Sequence, residues 1–357
     1  MAELDFPLEQ FAERLLAWYG REGRSLPWRN TRDPYRIWLA EIMLQQTTVA
    51  AVIGYYRRFL DKFPTIISLA EAPLEEVIDL WAGLGYYSRA RNLHATAKIV
   101  VERYAGRFPD DPAILQTLPG LGRSTAGAIL ALAFDRQAAI LDGNVRRVLC
   151  RLGALQQPPR SGAAGKQLWQ WSEALTPEQD VHDYTQAIMD LGATVCVPRR
   201  PLCGSCPVAE LCRAHKLGLE QQLPLKQAKK VIPTRHEVAL LINVDGRYLV
   251  RRRRAEGFLG GLWEFPSLAL DEAEQPAEKA RYLMADFALQ GQLELLGSVQ
   301  HVYSHFRLES SIYHVATEGQ GLVAEGDNHW FSPAELATLA LHGAHKKVLG
   351  KILPNGV

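Results

Sequence analysis

Four cysteines, Cys196, Cys203, Cys206 and Cys212, fall within 17 residues in the spacing C-x6-C-x2-C-x5-C, while the fifth, Cys150, stands alone. Four soft thiolates carried on short loops make a tetrahedral sulfur site suited to zinc or to an iron–sulfur cube. Zinc sites commonly pair two C-x2-C knuckles across a longer gap, and only one knuckle is present. A pair of disulfides is the other reading, and it belongs to oxidising compartments. The N-terminus, Met1-Ala-Glu-Leu-Asp5, is acidic and lacks the basic start and apolar core of a secretory signal. The longest uncharged stretch, Ile42 to Tyr56, is broken by Gln-Gln-Thr-Thr and falls short of the ~20 apolar residues that a membrane span needs. A soluble chain in a reducing compartment, the cytoplasm, is therefore expected.

Two carboxylates stand out next. Glu41 lies among Ile37, Trp38, Ile42 and Leu44, with Leu44 and Gln45 at i+3 and i+4, so no local cation pairs with it. Turned inward, it would have its pKa raised by an apolar pocket, as a general acid for a purine nitrogen requires. Turned outward, it is a surface acid, and the helix phase decides between the two. Asp142, in Ile140-Leu-Asp-Gly-Asn144-Val-Arg-Arg-Val148, is placed to cap a helix. It is equally placed to stabilise the positive sugar that forms when an N-glycosidic bond breaks. A helix N-terminus is expected to keep it ionised at neutral pH. Between these acids lies Leu118-Pro-Gly-Leu-Gly122-Arg-Ser-Thr-Ala126, two glycines around one apolar residue. Gly120 and Gly122 allow a tight turn between helices and let backbone N–H groups reach a phosphate, which positions DNA without reading it. An ordinary turn between helices has the same composition.

These residues need a scaffold, and 357 residues favour two domains, each with its own core. A net charge of +1 decides nothing, since a nucleic-acid site needs a local basic face rather than a basic total. Up to about residue 217 the chain reads as consecutive helices. Leu8, Phe11, Leu15 and Trp18 share one face, and Asp33-Pro34 caps a helix running through Gln46. Further helices are predicted at 74–81, 88–104, 124–134, 145–152, 165–175 and 184–191. Residues 221–236 hold two prolines and no acid, and read as a basic linker lying near phosphate. From residue 237 the period changes to two. Strands 238–244 and 247–250 flank Asp245-Gly246 as a hairpin. A glycine-rich loop follows at 257–266, with strands near 293–302 and 310–315 and helices near 276–288 and 345–353. This domain is α+β.

The motifs carry a resemblance. LPWR (26–29), WLAEIMLQQT (38–47), GLGYYSRARNLH (83–94), LPGLGRSTAGA (118–128) and LDGNVRRVL (141–149) are similar to the adenine DNA glycosylase, or MutY, family of the endonuclease III superfamily. The cysteine spacing resembles that superfamily's 4Fe–4S loop, with Arg199 and Arg200 making the loop basic; the cluster is read as structural. The resemblance implies an all-α helix-hairpin-helix glycosylase domain (1–220, hairpin 118–134, cluster loop 196–212), a linker at 221–236, and a Nudix-like domain (237–357). It implies one 4Fe–4S cluster on the four cysteines. It implies that Glu41 protonates adenine, that Asp142 stabilises the sugar cation with support from Asn144, and that Gln186 contacts the extruded base. By the same resemblance Gln46 and Tyr86 wedge into the base stack, and Trp28 and Arg29 line the adenine pocket.

Bifunctional relatives carry a lysine in the hairpin motif where Ser124 stands here. A hydroxyl cannot form an imine, so a monofunctional glycosylase without an efficient lyase step is expected. In the second domain the acidic REx2EExG signature of Nudix hydrolases is missing, so nucleotide hydrolysis is not expected. GLWEFP (261–266) matches the family, whose Phe-Ser-His recognition loop appears as Tyr303-Ser304-His305. The run Arg251–Arg254, alternating along a strand, is expected to turn at most half its members to one groove. The expected activity is excision of adenine opposite 8-oxoguanine or guanine in base excision repair, by a monomer acting on double-stranded DNA. The competing readings are a pyrimidine-damage glycosylase/lyase of the endonuclease III type and a non-catalytic iron–sulfur DNA sensor. Ser124 opposes the first, and the Glu41/Asp142 pair the second.

Overall fold

The computed structural model describes residues 4, 6–226, 231–254, 257–316 and 327–352. Among them no helix is long and apolar enough to cross a membrane. Two compact units result: Met1–Ala72 with Arg91–Lys229, and Pro73–Ala90 with Lys230–Val357.

The helices run, in chain order, α1 (Leu8–Glu22), α2 (Pro34–Leu44), α3 (Val49–Lys62), α4 (Ile66–Glu71), α5 (Leu74–Trp81), α6 (Ser88–Tyr104), α7 (Pro112–Thr117), α8 (Arg123–Phe134), α9 (Gly143–Leu152), α10 (Gly162–Leu175), α11 (Val181–Asp190) and α12 (Arg213–Lys216). Most boundaries come from local chemistry. Asp33 accepts the Tyr35 N–H at 2.9 Å, with Pro34 at the first helical position. Asp111 does the same for Ala113 and Ile114, and Thr65 and Ser68 cap α4 reciprocally. The short α4 and α7, and the longer α3, were not anticipated. The α2 helix stops at Leu44 rather than Gln46, because Gln46 turns left-handed with φ 59°. Past α11, one π-helical turn (Leu191–Val195) leads into Cys196. In the first unit α2 packs on α3 and α8, and α11 on α1, α8 and α9. Their core gathers Phe11, Leu15, Ile37, Val145, Leu149, Trp171 and Ile188.

The second unit is built on a mixed sheet, β1 (Thr234–Val244), β2 (Arg247–Arg252), β3 (Trp263–Glu264), β4 (Ser267–Leu270), β5 (Gln292–Val302), β6 (Arg307–Ala316) and β7 (Asn328–Phe331), in the order β3-β2-β1-β6-β5, with β4 beside β1 and β7 beside β2. The hairpin closes where expected, with Asp245 (φ 50°) and Gly246 (φ 78°) both left-handed. The long β1–β6 pairing is parallel, which no local signal announced. Both faces of β1 are covered. Val238, Leu240 and Ile242 meet α13 (Pro276–Asp286) through Ala280 and Leu283. Ala239 and Leu241 share a second core with Leu336 of α14 (Pro333–Thr338), Val348, Leu349 and Ile78 of α5.

Of the linker expected at 221–236, β1 already takes Thr234 onward, and residues 227–230 lie outside the described residues. The helix expected at 345–353 is two short turns, α15 (Gly343–Lys346) and α16 (Leu349–Ile352); residue 353 lies outside the described residues. The arginine run stays within the expected limit of half its members. Arg251 and Arg253 both bind Glu264, and Arg252 bridges Asp79 and the Gly261 carbonyl. Only Arg254 is plainly exposed, because the internal carboxylates claim the other three.

Candidate active site

In the first unit Glu41 and Asp142 line one cavity of about 750 Å³, together with Trp28, Arg29, Gln46, Ser124, Asn144 and Gln186. Seven of the other ten residues of α2 are buried, and Glu41 lines the cavity. Burial, reinforced by the negative charge of Asp142 and opposed by Arg29, pushes the Glu41 carboxyl up to about 7. The inward phase is the one adopted.

Asp142 caps α9, its Oδ1 accepting the Val145 N–H at 2.7 Å. Burial pushes its pKa up, against the backbone N–H groups of Val145 and Asn144 and the charges of Arg147 and Arg146. The helix N-terminus, expected from sequence to keep Asp142 ionised, acts in that direction but is outweighed by desolvation. Asn144 adds a contact of its own. Its backbone reaches Asp142, while its side chain accepts from Arg147 Nη2 at 2.9 Å.

The clamp that holds Arg29 was not anticipated from sequence. Asp190, 0% exposed, receives Arg24 N–H at 2.9 Å, Arg24 Nε at 2.6 Å, and both terminal nitrogens of Arg29 at 2.5 Å. Burial would raise its pKa, but these hydrogen bonds prevail and hold it below the ordinary value. Arg29 is thereby fixed beside Glu41. Gln186 accepts from Tyr19 Oη at 2.9 Å, and its Nε2 lies 2.8 Å from the His182 ring. Each end of that amide keeps a further hydrogen-bonding position for a ligand. Asp190 stands four residues after Gln186 in YTQAIMDLGA; an acid with no cation within a helical turn was the available signal. Trp28 packs edge-on against Tyr56 at 5.4 Å.

Around the hairpin, Gly120 has φ 79°, and a Cβ there would stand 3.0 Å from the Asn92 Cβ. Gly122 precedes α8 with no side-chain cap, leaving the helix start presented by backbone alone. Ser124 Oγ accepts the Leu141 N–H at 3.0 Å, joining the hairpin to the Asp142 segment.

The α9 helix continues from the cavity to the cysteines. Arg147 donates to the Gly192 and Cys196 carbonyls at 2.6 and 2.7 Å. Arg151, buried, reaches Cys196 Sγ at 3.3 Å and the Val197 carbonyl at 2.8 Å. The thiols of Cys196, Cys203, Cys206 and Cys212 are close enough to influence one another's protonation. Among the described residues no group of three or more His, Cys, Asp or Glu is arranged for a single metal ion. Four thiols on one short loop supply the all-sulfur donor set that an iron–sulfur cube takes, with Arg151 beside Cys196 to balance thiolate charge.

The other expected site residues belong to the second unit. Tyr86 is exposed, with φ 50°, and does not line the cavity; Gln46, also left-handed, does. Ser304 and His305 are exposed, and Tyr303 is half-buried among aromatic rings.

Residues 39–174 match the model of the HhH-GPD superfamily base excision DNA repair protein, residues 196–212 that of the iron–sulfur binding domain of endonuclease III, and residues 237–351 that of the NUDIX domain. The chain is similar to an adenine DNA glycosylase of Rattus norvegicus, 38% identical over 95% of this chain and 77% of that one. Against the adenine DNA glycosylase of Homo sapiens it is 38% identical over 95% of this chain and 73% of that one. Among solved structures it is similar to a thermostable thymine-DNA glycosylase, with TM-score 0.54 and 32% identity over 59% of this chain and 97% of that one.

Proposed function

Because this chain belongs to the adenine DNA glycosylase family, we propose that it excises adenine mispaired with 8-oxoguanine or guanine, with Glu41 and Asp142 carrying the chemistry. The enzyme is a base excision repair hydrolase that binds DNA, and it holds a 4Fe–4S cluster on Cys196, Cys203, Cys206 and Cys212. The bound cluster supplies a rigid brace for the basic loop around Arg199 and Arg200.

Hydrolysis of an N-glycosidic bond needs a proton for the departing base and negative charge for the developing sugar cation. Glu41, holding its proton to about 7, protonates adenine at N7. The base departs neutral, the Asp142 carboxylate stabilises C1′, and water or a transient aspartyl adduct completes the displacement. Gln186 and Arg29 orient the extruded adenine, Trp28 walls the pocket, and Asn144 braces the Asp142 turn through its backbone. Gln46 and Tyr86 fill the gap left in the stack, while Gly120 and Gly122 hold the phosphate backbone. Ser124 offers no amine, so the enzyme stops at the abasic site. Tyr303, Ser304 and His305 inspect the opposite base. It acts as a monomer, at the nucleoid.

The observation that carries this reading is the pair of carboxyls in one cavity, one of them holding its proton near neutrality. The test is adenine release from duplexes with adenine opposite 8-oxoguanine, by Glu41→Gln and Asp142→Asn. Near-native rates in both would end the assignment.

A further inference from the structure

A set of buried polar groups in the second unit has no part in the reaction above. Glu264, 3% exposed, binds Arg251 Nε at 2.8 Å and Arg253. His342 and His345, 2% and 0% exposed, stack with ring centroids 3.9 Å apart. The Phe265 N–H donates to His345 Nδ1 at 3.0 Å, so that nitrogen carries no proton and the hydrogen sits on Nε2, 3.1 Å from Glu237 Oε1. Burial, with the neighbouring charges, holds His345 down to about 4 and His342 well below its ordinary value, so both rings are neutral.

A neutral His342 has one donor nitrogen. Its Nε2 faces the Glu264 carboxylate at 3.9 Å, and its Nδ1 lies 3.0 Å from Tyr303 Oη. That oxygen also accepts the Ala344 N–H at 3.3 Å. The Ala344 N–H already donates to Tyr303 Oη, so the hydroxyl hydrogen goes to Nδ1, and the His342 hydrogen sits on Nε2, on the Glu264 side but beyond hydrogen-bond distance. His342, buried beside Glu264, therefore orients the Tyr303 hydroxyl through one hydrogen bond. The Tyr303 ring is held from other sides by His301, Phe258 and Phe306, at 4.5, 5.2 and 5.2 Å. Ser304 and His305, the next residues, are exposed. The hydroxyl by which this loop departs from Phe-Ser-His is thus engaged inside the unit and does not face a base.

We propose that His342 is a positioning residue for recognition of the base opposite adenine, fixing through the Tyr303 hydroxyl the loop that presents Ser304 and His305. The proposal rests on the reading of that loop given above.

The test measures single-turnover excision by the full-length holoenzyme on duplexes with adenine opposite 8-oxoguanine and opposite guanine. The readout is the ratio of the two rates, which a merely structural residue would not move. In His342→Leu the ratio falls about tenfold, the scale of one buried donor left unpaired, while the rate opposite guanine changes little. His342→Asn, whose Oδ1 can replace Nδ1 as acceptor, retains the ratio. Tyr303→Phe lowers the ratio as well, and combined with His342→Leu it adds nothing further, since both remove one bond. Should His342→Leu not fold, Tyr303→Phe decides by the loss of a single oxygen. An unchanged ratio in these variants, with a lowered one in Ser304→Ala or His305→Ala, overturns the role of His342 alone. An unchanged ratio in all four overturns the loop reading with it.

Discussion

Replacing Glu41 by glutamine should abolish adenine release and, at alkaline pH, make the folded protein more stable. Burial and the charge of Asp142 hold the Glu41 proton to about 7, against an ordinary value of 4.5. Keeping this carboxyl ionised in its pocket therefore costs about 3 kcal/mol, at about 1.4 kcal/mol per tenfold. A carboxyl whose pKa rises on folding binds more protons in the folded state. Its stabilising contribution is complete below 4.5, declines as the pH rises, and is lost above about 7. Glutamine is neutral throughout and escapes the loss. Wild type and variant should melt together near about pH 5 and separate by roughly 10 °C near about pH 8. Over the same range, wild-type single-turnover excision should fall about tenfold per pH unit above its midpoint, as a general acid loses its proton. A melting difference that is the same at both pH values, or excision that stays flat through neutrality and beyond, would refute the argument.

Asp142→Asn keeps the cap on Val145 N–H but removes a charge that burial disfavours, so excision should drop by at least about 100-fold at a melting temperature no lower than that of the wild type; a native rate would remove Asp142 from the chemistry. Asp190→Asn strands Arg24 and Arg29 in the wall of the cavity, and should cost about 3 kcal/mol in urea unfolding together with a slower excision step. Unchanged unfolding curves would contradict the clamp. Borohydride should not cross-link the wild type to DNA, whereas Ser124→Lys should become trappable; a trapped wild type would refute the monofunctional assignment. Gly127→Ala places a Cβ 2.3 Å from the Ala139 carbonyl oxygen, and should destabilise by about 1–3 kcal/mol on thermal melting.

Much of this molecule is written locally. The limits of α5 and α6, the caps at Asp33 and Asp142, the Asp245-Gly246 turn and the four cysteines each depend on residues a few positions apart, where backbone preference and side-chain reach act directly. Helices α3, α4 and α7 escaped because α3 follows a polar Gln-Gln-Thr-Thr break, and the other two are single short turns set by caps. The pairing of the arginine run was hidden for a different reason. Its partners Glu264 and Asp79 arrive from other segments, and strand alternation says nothing about them.

From the chain alone came the candidate acids, the sulfur ligands, the helical and α+β halves, and the missing hairpin lysine. Only tertiary structure could turn Glu41 and Asp142, about a hundred residues apart, into one cavity and seat Asp190 between two arginines. It alone placed α5 in the core with β1 and made β1 and β6 parallel neighbours. Spacing along a chain chooses which groups are available. Whether a carboxyl keeps its proton depends on desolvation and on charges brought from distant segments, and those exist only once the chain has folded.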